Sequence, residues 1–214
     1  MTDRKILPII HYLKSFAPLD KRQVSLIASL AKIVSYSRHD WLLTEGAYCD
    51  GMYFLNTGMV RTVFGQEDKE VTVWVTLPHH FLTSTYSYIK RKPSMIGLQA
   101  ISKAELIWFE REDIRYLYRE IPVLRDISLS IMNDYYIELE RLYIFCLAQS
   151  AKQRYANLYT HFPDHFMKVP LKYLASMIHV KPETLSRIRR MQQGKGFPLS
   201  NLDKAAVLNI INRI

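Results

Sequence analysis

Cysteine is nearly missing from this chain of 214 residues, which carries only Cys49 and Cys146. Two thiols cannot build a disulfide framework, a four-thiolate cluster or a cysteine-only zinc site. A reducing, cytoplasmic setting is therefore expected. Long apolar runs are absent too. None approaches the roughly 18–20 residues that cross a bilayer, so no membrane partner is expected. The opening Met1-Thr2-Asp3-Arg4-Lys5 leads into an apolar stretch too short and too interrupted for a signal-peptide core. Repeats and low-complexity tracts are also lacking. With 49% hydrophobic and 23% charged residues, the chain has the mixture of a folded protein and not of a disordered one. Its length allows one large domain or two modest ones, at a prior of roughly 150 residues each.

Positive charge is what the chain does have, and it is unevenly placed. The formal net charge is +9. Residues 1–149 hold 18 basic and 17 acidic side chains, whereas residues 150–214 hold 11 and 3. Nearly all the excess lies in the last 65 residues. A neutral module joined to a polyanion-binding one fits this asymmetry, and a basic tail kept for solubility fits it as well.

From about 31 to 110 the chain reads as short strands: Ile33-Val34, Trp41–Leu43, Met52–Leu55, Met59–Phe64, Val71–Val75, Met95–Ile101 and Glu105–Phe109. Such spacing predicts a sandwich or barrel. Asn56-Thr57-Gly58 separates two strands, so Gly58 is expected to supply the positive φ of a tight turn. Glu110 to Pro122 reads as a short helix and a break. Residues 123–148 contain neither Gly nor Pro. There Leu124, Ile127, Ile131, Tyr135, Leu139, Leu142 and Cys146 recur at steps of three and four, which predicts one long helix with an apolar stripe. A second copy of the helix would cover the stripe through a two-fold interface formed by Leu124, Ile127, Ile131, Tyr135, Leu139 and Leu142. Burial within one subunit is the competing account.

The last third is helical again, with Ala151–Tyr159, Leu171–Ile178 and Glu183–Met191 as segments. The last two, joined by His179-Val180-Lys181-Pro182, predict a helix-turn-helix, whose second helix enters the DNA major groove. Ala175 is small where the helices must approach, and Ile178, Val180, Leu185 and Ile188 are spaced to pack the pair. Pro182 and Glu183 suit the first turn of the second helix. The outer face carries Lys181, Glu183, Thr184, Ser186, Arg187 and Arg190. Arg donates twice to guanine and Glu accepts from cytosine. Arg189, Arg190, Lys172, Lys181, Thr184 and Lys195 suit phosphates, which add affinity without sequence information. A solvated charged helix face is the plainer reading.

At this point the chain resembles the CRP/FNR superfamily of bacterial transcription regulators over nearly its whole length. The run Leu42 to Arg61 is similar to the family's Glu-Gly turn, Asp, Tyr-Phe strand and Gly-x-Val-Arg hairpin. Glu183-Thr184-Leu185-Ser186-Arg187 resembles its Glu-Thr-Val-Ser-Arg. The resemblance implies an α+β chain with a jelly-roll sensor at 1–122, a dimerisation helix at 123–148 and a helix-turn-helix domain at 149–214. It implies a homodimer on near-palindromic double-stranded DNA, with Glu183, Ser186 and Arg187 contacting bases, a half-site related to TTGA or TGTGA, RNA polymerase as a further partner, and no enzymatic activity.

Departures from the family pattern qualify this. The nucleotide cassette of the family has Gly-Glu after a Phe, then Arg with Ser or Thr a dozen residues on. Here Phe81-Leu82-Thr83-Ser84 and Pro93-Ser94-Met95-Ile96 stand in those places. Without the Arg, a buried cyclic phosphate loses a charge-assisted contact, so cyclic AMP is not expected and the effector is unknown. His179 replaces the usual turn Gly, which His tolerates better than most residues. Pro182 stands where relatives often carry Arg. After Gly194-Lys195-Gly196 a helix at 202–208 reads in place of part of the wing.

Weaker signals point elsewhere. His79-His80 and His161-x-x-x-His165 invite a metal, as in a cupin-like enzyme, yet neighbours on a strand face opposite ways, and no metal is expected. Lys90-Arg91-Lys92 reads as a solvated hairpin tip. Cys49 follows a turn and is expected to be partly exposed. Trp74, Tyr86, Tyr88 and Trp108 suit either a ligand cavity or a core. A ligand-binding interaction module is the other rival to a regulator.

Overall fold

A computed structural model describes residues 4–65, 70–148 and 150–192. The chain divides into two compact units, Met1–Tyr135 and Tyr136–Ile214.

Among the described residues of the first unit, eight strands form two four-stranded antiparallel sheets. The strands are β1 (Lys32–Tyr36), β2 (Trp41–Leu43), β3 (Gly51–Thr57), β4 (Val60–Phe64), β5 (Val71–Thr76), β6 (Phe81–Leu82), β7 (Gly97–Ala100) and β8 (Ala104–Glu110). One sheet runs β1-β8-β3-β6 and the other β2-β7-β4-β5. Alternation along β3 and β8 sends side chains to both faces of the first sheet. Tyr53, Leu55 and Leu106 point into the roll and meet Val60, Leu98 and Ala100 of the second sheet. Phe54, Ile107 and Phe109 point out, against a helical layer.

That layer contains α1 (Leu7–Lys14), α2 (Lys21–Leu30), α4 (Arg111–Glu120) and the start of α5 (Val123–Ala148). The N-terminus of α2 is fixed by a capping box: the Asp20 carboxylate accepts from the Gln23 amide at 2.8 Å, and the Gln23 side chain accepts from the Asp20 amide at 2.9 Å. Ile9, Ile10, Leu13 and Ile27 fill the core beneath. Burying such aliphatic side chains stabilises by about 1.5–3 kcal/mol each.

Gly58 has φ +89° at the β3–β4 turn, and a Cβ there would lie 2.3 Å from the Lys103 carbonyl oxygen. Both the turn and the close approach of backbone require glycine. The expected strands all form. Several elements escape the sequence reading: α1, α2, the two-residue β6, and α3 (Thr85–Lys90). Lys90-Arg91-Lys92 is therefore a helix end and not a hairpin tip, with Arg91 at φ +54° as its left-handed cap.

The second unit, described by itself, contains α6 (Ala151–His161), α7 (Pro163–Lys168), α8 (Leu171–Met177) and α9 (Pro182–Gln192). A second capping box, Ser150 with Gln153, starts α6. The Phe162-Pro163 break does end α6, but Pro163 also opens α7, as its fixed φ allows. Tyr155 and Tyr159 pack their rings on Phe166 at 5.2 and 4.9 Å. No helix among the described residues is long and apolar enough to cross a membrane.

Candidate nucleic-acid interface and nucleotide cassette

The α8–α9 pair is built as a helix-turn-helix. Val180 donates its amide to the Ala175 carbonyl at 2.9 Å, and His179 donates to Ser176 at 3.0 Å. His179 takes φ +52°, the left-handed conformation that turns the chain. One Arg154 guanidinium nitrogen, on α6, donates to the His179 carbonyl at 3.3 Å and so ties the turn to the neighbouring helix. Ala175, Ile178, Leu185 and Ile188 are buried, and Val180 is half-buried.

Packing Leu185 and Ile188 inward turns the other side of α9 outward. Glu183, Arg187 and Arg190, at i, i+4 and i+7, share one exposed stripe. Thr184 and Ser186 flank it half-buried. Lys181 and Lys172 are exposed, and the Lys172 ammonium lies 4.7 Å from the Tyr173 ring centroid. Arg189 is exposed as well, but its guanidinium lies 5.7 Å from the Phe166 ring, away from the Glu183 stripe. Lys195, the Gly194-Lys195-Gly196 segment and the expected helix at 202–208 lie outside the described residues.

The long helix forms as expected, but its apolar stripe splits. Leu124 and Ile127 are 5% and 2% exposed, enclosed with Phe54, Ile121 and Leu13 in the core of their own unit, and Ile131 packs against that cluster. They are already covered within one chain, which corrects their expected place on a subunit interface. Leu142 is also buried, whereas Tyr135 and Leu139 are exposed. A different set is open along α5: Leu129, Met132, Tyr136, Leu139 and Tyr143. Steps of three and four separate them, the spacing of a coiled-coil seam. The sequence signal for it was present, but it competes with the overlapping stripe that begins at Leu124.

The cassette region lies between β6 and β7. Ser84 and Ser94 are buried, and the Ser94 hydroxyl donates to the Ser84 hydroxyl oxygen at 2.7 Å. The Ser94 backbone pairs with the 46–47 turn, through Gly46 N–H to Ser94 at 2.7 Å and Ser94 N–H to Ala47 at 2.8 Å. Ser87 on α3 accepts from the Cys49 amide at 2.9 Å. Cys49 is 4% exposed and its sulfur lies 3.3 Å from the Thr83 hydroxyl, so the expected partial exposure is not found. Arg111 is the buried cation nearby. Its guanidinium is held by Asp50 at 2.5 Å, donates to the Cys49 carbonyl at 3.3 Å and lies 4.2 Å over the Tyr88 ring. Arg91 is exposed and faces Glu112 at 4.0 Å.

The aromatic residues do not share one cavity. Trp108 packs on Tyr53 at 4.4 Å, Tyr88 serves Arg111 and Tyr86 is exposed. His79 sits at φ +69° in the β5–β6 turn. His161 is exposed as a residue, yet partial desolvation of its ring, with the Arg141 charge, pushes its pKa down. His165 lies edge-on to Phe162 at 5.9 Å. Among the described residues no group of three or more His, Cys, Asp or Glu side chains could hold a metal.

The family model described as cyclic nucleotide-binding domain matches residues 33–120, the two sheets with β6, α3 and α4. The match is confined to this stretch, less than half of the chain. Beyond it, the chain shares its fold with solved CRP/FNR regulators. FixK2 from Bradyrhizobium japonicum matches at 14% identity and a TM-score of 0.66, covering 78% of this chain and 86% of its own. A CooA mutant from Carboxydothermus hydrogenoformans matches at 15% and 0.67, covering 88% and 85%. A regulator assigned to the CRP/FNR family from Eubacterium rectale matches at 15% and 0.63, covering 87% and 89%. No curated protein sequence matches the chain. The stretch that matches this family model carries the buried pair Ser84 and Ser94 between β6 and β7.

Proposed function

We propose that the chain is a transcription regulator that binds double-stranded DNA sequence-specifically as a homodimer and has no catalytic activity. The observation that carries this reading is the outward stripe of α9. Glu183, Arg187 and Arg190 are exposed together because Leu185 and Ile188 anchor the opposite side. The fold shared with CRP/FNR regulators supports it. Glu183, Ser186 and Arg187 read base edges, while Lys172, Lys181, Thr184, Arg190 and Lys195 hold phosphates. Arg189 serves the flanking backbone. In this reading residues 1–122 are the sensor, 123–148 the dimerisation helix and 149–214 the DNA-binding domain.

The dimer forms through the Leu129, Met132, Tyr136, Leu139 and Tyr143 seam, joined by Tyr135. Two α9 helices then enter successive major grooves about 34 Å apart. The sensor responds to something other than a cyclic nucleotide, because the Ser84–Ser94 pair offers neither a carboxylate to a ribose nor a guanidinium to a phosphate. RNA polymerase is the partner through which such a dimer would act.

Selection of bound sequences from random duplexes with the purified protein tests the reading. The expected outcome is an inverted repeat with half-sites one helical turn apart, and binding that weakens steeply with salt. Recovery of no consensus sequence overturns it.

A further inference from the structure

Away from the cassette, a concavity of about 370 Å³ opens between α1 and the β5–β6 turn. Arg4, Leu7, Pro8, His11, Tyr12 and His79 line it. Arg4, His11 and His79 are hydrogen-bond donors, and Arg4 is cationic at every accessible pH. Among the described residues no carboxylate lines the concavity. None of these three side chains makes a hydrogen bond or ion pair with the described residues.

The His79 ring is fixed in place. Its residue holds φ +69°, a conformation that costs energy outside glycine and is kept only when the surroundings over-determine it. Here the His79 amide donates to the Leu55 carbonyl at 2.7 Å, and the Leu55 amide donates to the His80 carbonyl at 3.0 Å. The imidazole lies nearly parallel to the Phe54 ring, at 9° and 6.4 Å. Tyr12 packs on the same Phe54 at 5.5 Å. The floor, from Leu7, Pro8 and Tyr12, is apolar. The opposite face of α1 is already spent on the core through Ile9, Ile10 and Leu13.

From this we infer that the concavity is a binding site for a small organic anion, a carboxylate or phosphate carried on a flat apolar body. Arg4 supplies a charge-assisted contact, and His11 and His79 add N–H donors from two sides. Leu7, Pro8 and Tyr12 cover the apolar part. The volume suits a ligand of one or two rings, at the lower end of small-molecule pockets of about 300–1,000 Å³. An inorganic anion would leave the floor uncovered, and a neutral ring would leave the donors unmatched.

Titration of the full chain with benzoate, phenyl phosphate, benzamide and inorganic phosphate tests this, read by the histidine ring resonances in NMR. Benzoate and phenyl phosphate are expected to shift two of them saturably, with benzamide and inorganic phosphate at least tenfold weaker. Arg4→Gln and His79→Asn are each expected to weaken benzoate at least fivefold while the remaining spectrum stays that of the folded chain. In His11→Gln and His79→Asn the shifting resonances should disappear one at a time, which assigns them. Absence of saturation by about 10 mM, weaker than a specific site of this size would give, overturns the proposal. So does equal binding of benzamide or of inorganic phosphate, or unchanged benzoate binding in both Arg4→Gln and His79→Asn.

Discussion

Ser94 donates its hydroxyl proton to Ser84 across 2.7 Å, in the segment between β6 and β7. Both serines are buried, and Ser94 also bonds the Ile96 carbonyl at 2.7 Å. The pair satisfies itself. Neither hydroxyl carries charge, and the buried guanidinium close by, on Arg111, is committed to Asp50 and Cys49. A cyclic phosphate entering here would shed its water without gaining a cation. Cyclic AMP at millimolar concentration is therefore expected to give no calorimetric heat of binding and no rise in Tm. A rise of several degrees would mean that the cassette rearranges to supply a cation.

How far the sequence could be read depends on which force shaped each segment. Strands whose side chains alternate between two cores, such as β3 and β8, announce themselves through period-two apolar patterns. The turn at Gly58 is legible because no other residue fits it. β6 and α3 are not, since two residues carry no period and a six-residue helix held by Ser87 and its neighbours has little amphipathic signal. The α9 stripe was visible from Leu185 and Ile188. On α5, two overlapping stripes satisfy the same spacing, and only the presence of Phe54 and Leu13 decides that Leu124 and Ile127 face inward. His79 gave no sign of its conformation, which long-range backbone pairing with Leu55 imposes.

Arg187 and Arg190 share a stripe but differ in expected role. Arg187→Ala should cost about 1–3 kcal/mol on the selected site and relax preference at one base pair. Arg190→Ala should weaken specific and non-specific duplexes alike and lower the salt slope by about one. Fluorescence anisotropy across a salt series separates the two. Equal effects of both substitutions on every duplex would remove the base-reading role of Arg187.

His179 holds the turn between α8 and α9 at φ +52°, where a β-branched side chain is strongly disfavoured. His179→Val should therefore destabilise the second unit and reduce DNA binding. His179→Gly should restore the fold and gain about 0.5–1 kcal/mol from relieved backbone strain, less the entropy glycine loses on folding. Thermal unfolding of the two variants measures the difference. Equal stability of both would mean that the left-handed turn carries no cost.

His161 titrates below the ordinary histidine range because burial and the Arg141 charge disfavour its imidazolium. Its folded state thus binds fewer protons than its unfolded state as pH falls through the unfolded value. Stability contributed by the neutral ring is present above about pH 6.5 and declines below it. His161→Gln should flatten the fall in Tm between about pH 7.5 and about pH 5.5 relative to the parent chain. Parallel curves for the two proteins would show that the ring is solvated in the folded state.

Leu139 belongs both to the stripe expected from sequence and to the seam left open on α5, and it is 44% exposed. Tyr136, next along the seam, is 65% exposed. Large apolar side chains at Leu129, Met132, Tyr136, Leu139 and Tyr143 in one three-four register would leave a long apolar strip in water if the chain stayed monomeric. Pairing two copies of the strip removes it. Leu139→Asp or Tyr136→Asp places a carboxylate opposite its own symmetry mate, adding like-charge repulsion to lost burial. Sedimentation velocity should report a dimer for the parent chain and a monomer for either variant, with far-UV circular dichroism unchanged. Affinity for an inverted repeat should then fall toward that for a single half-site, because linkage of the two reading helices is lost. Leu124→Asp is the contrasting control: its side chain lies in the core beside Phe54 and Ile121, so unfolding rather than clean dissociation is expected. If Leu139→Asp and Tyr136→Asp both remain dimeric, the subunits meet through another surface.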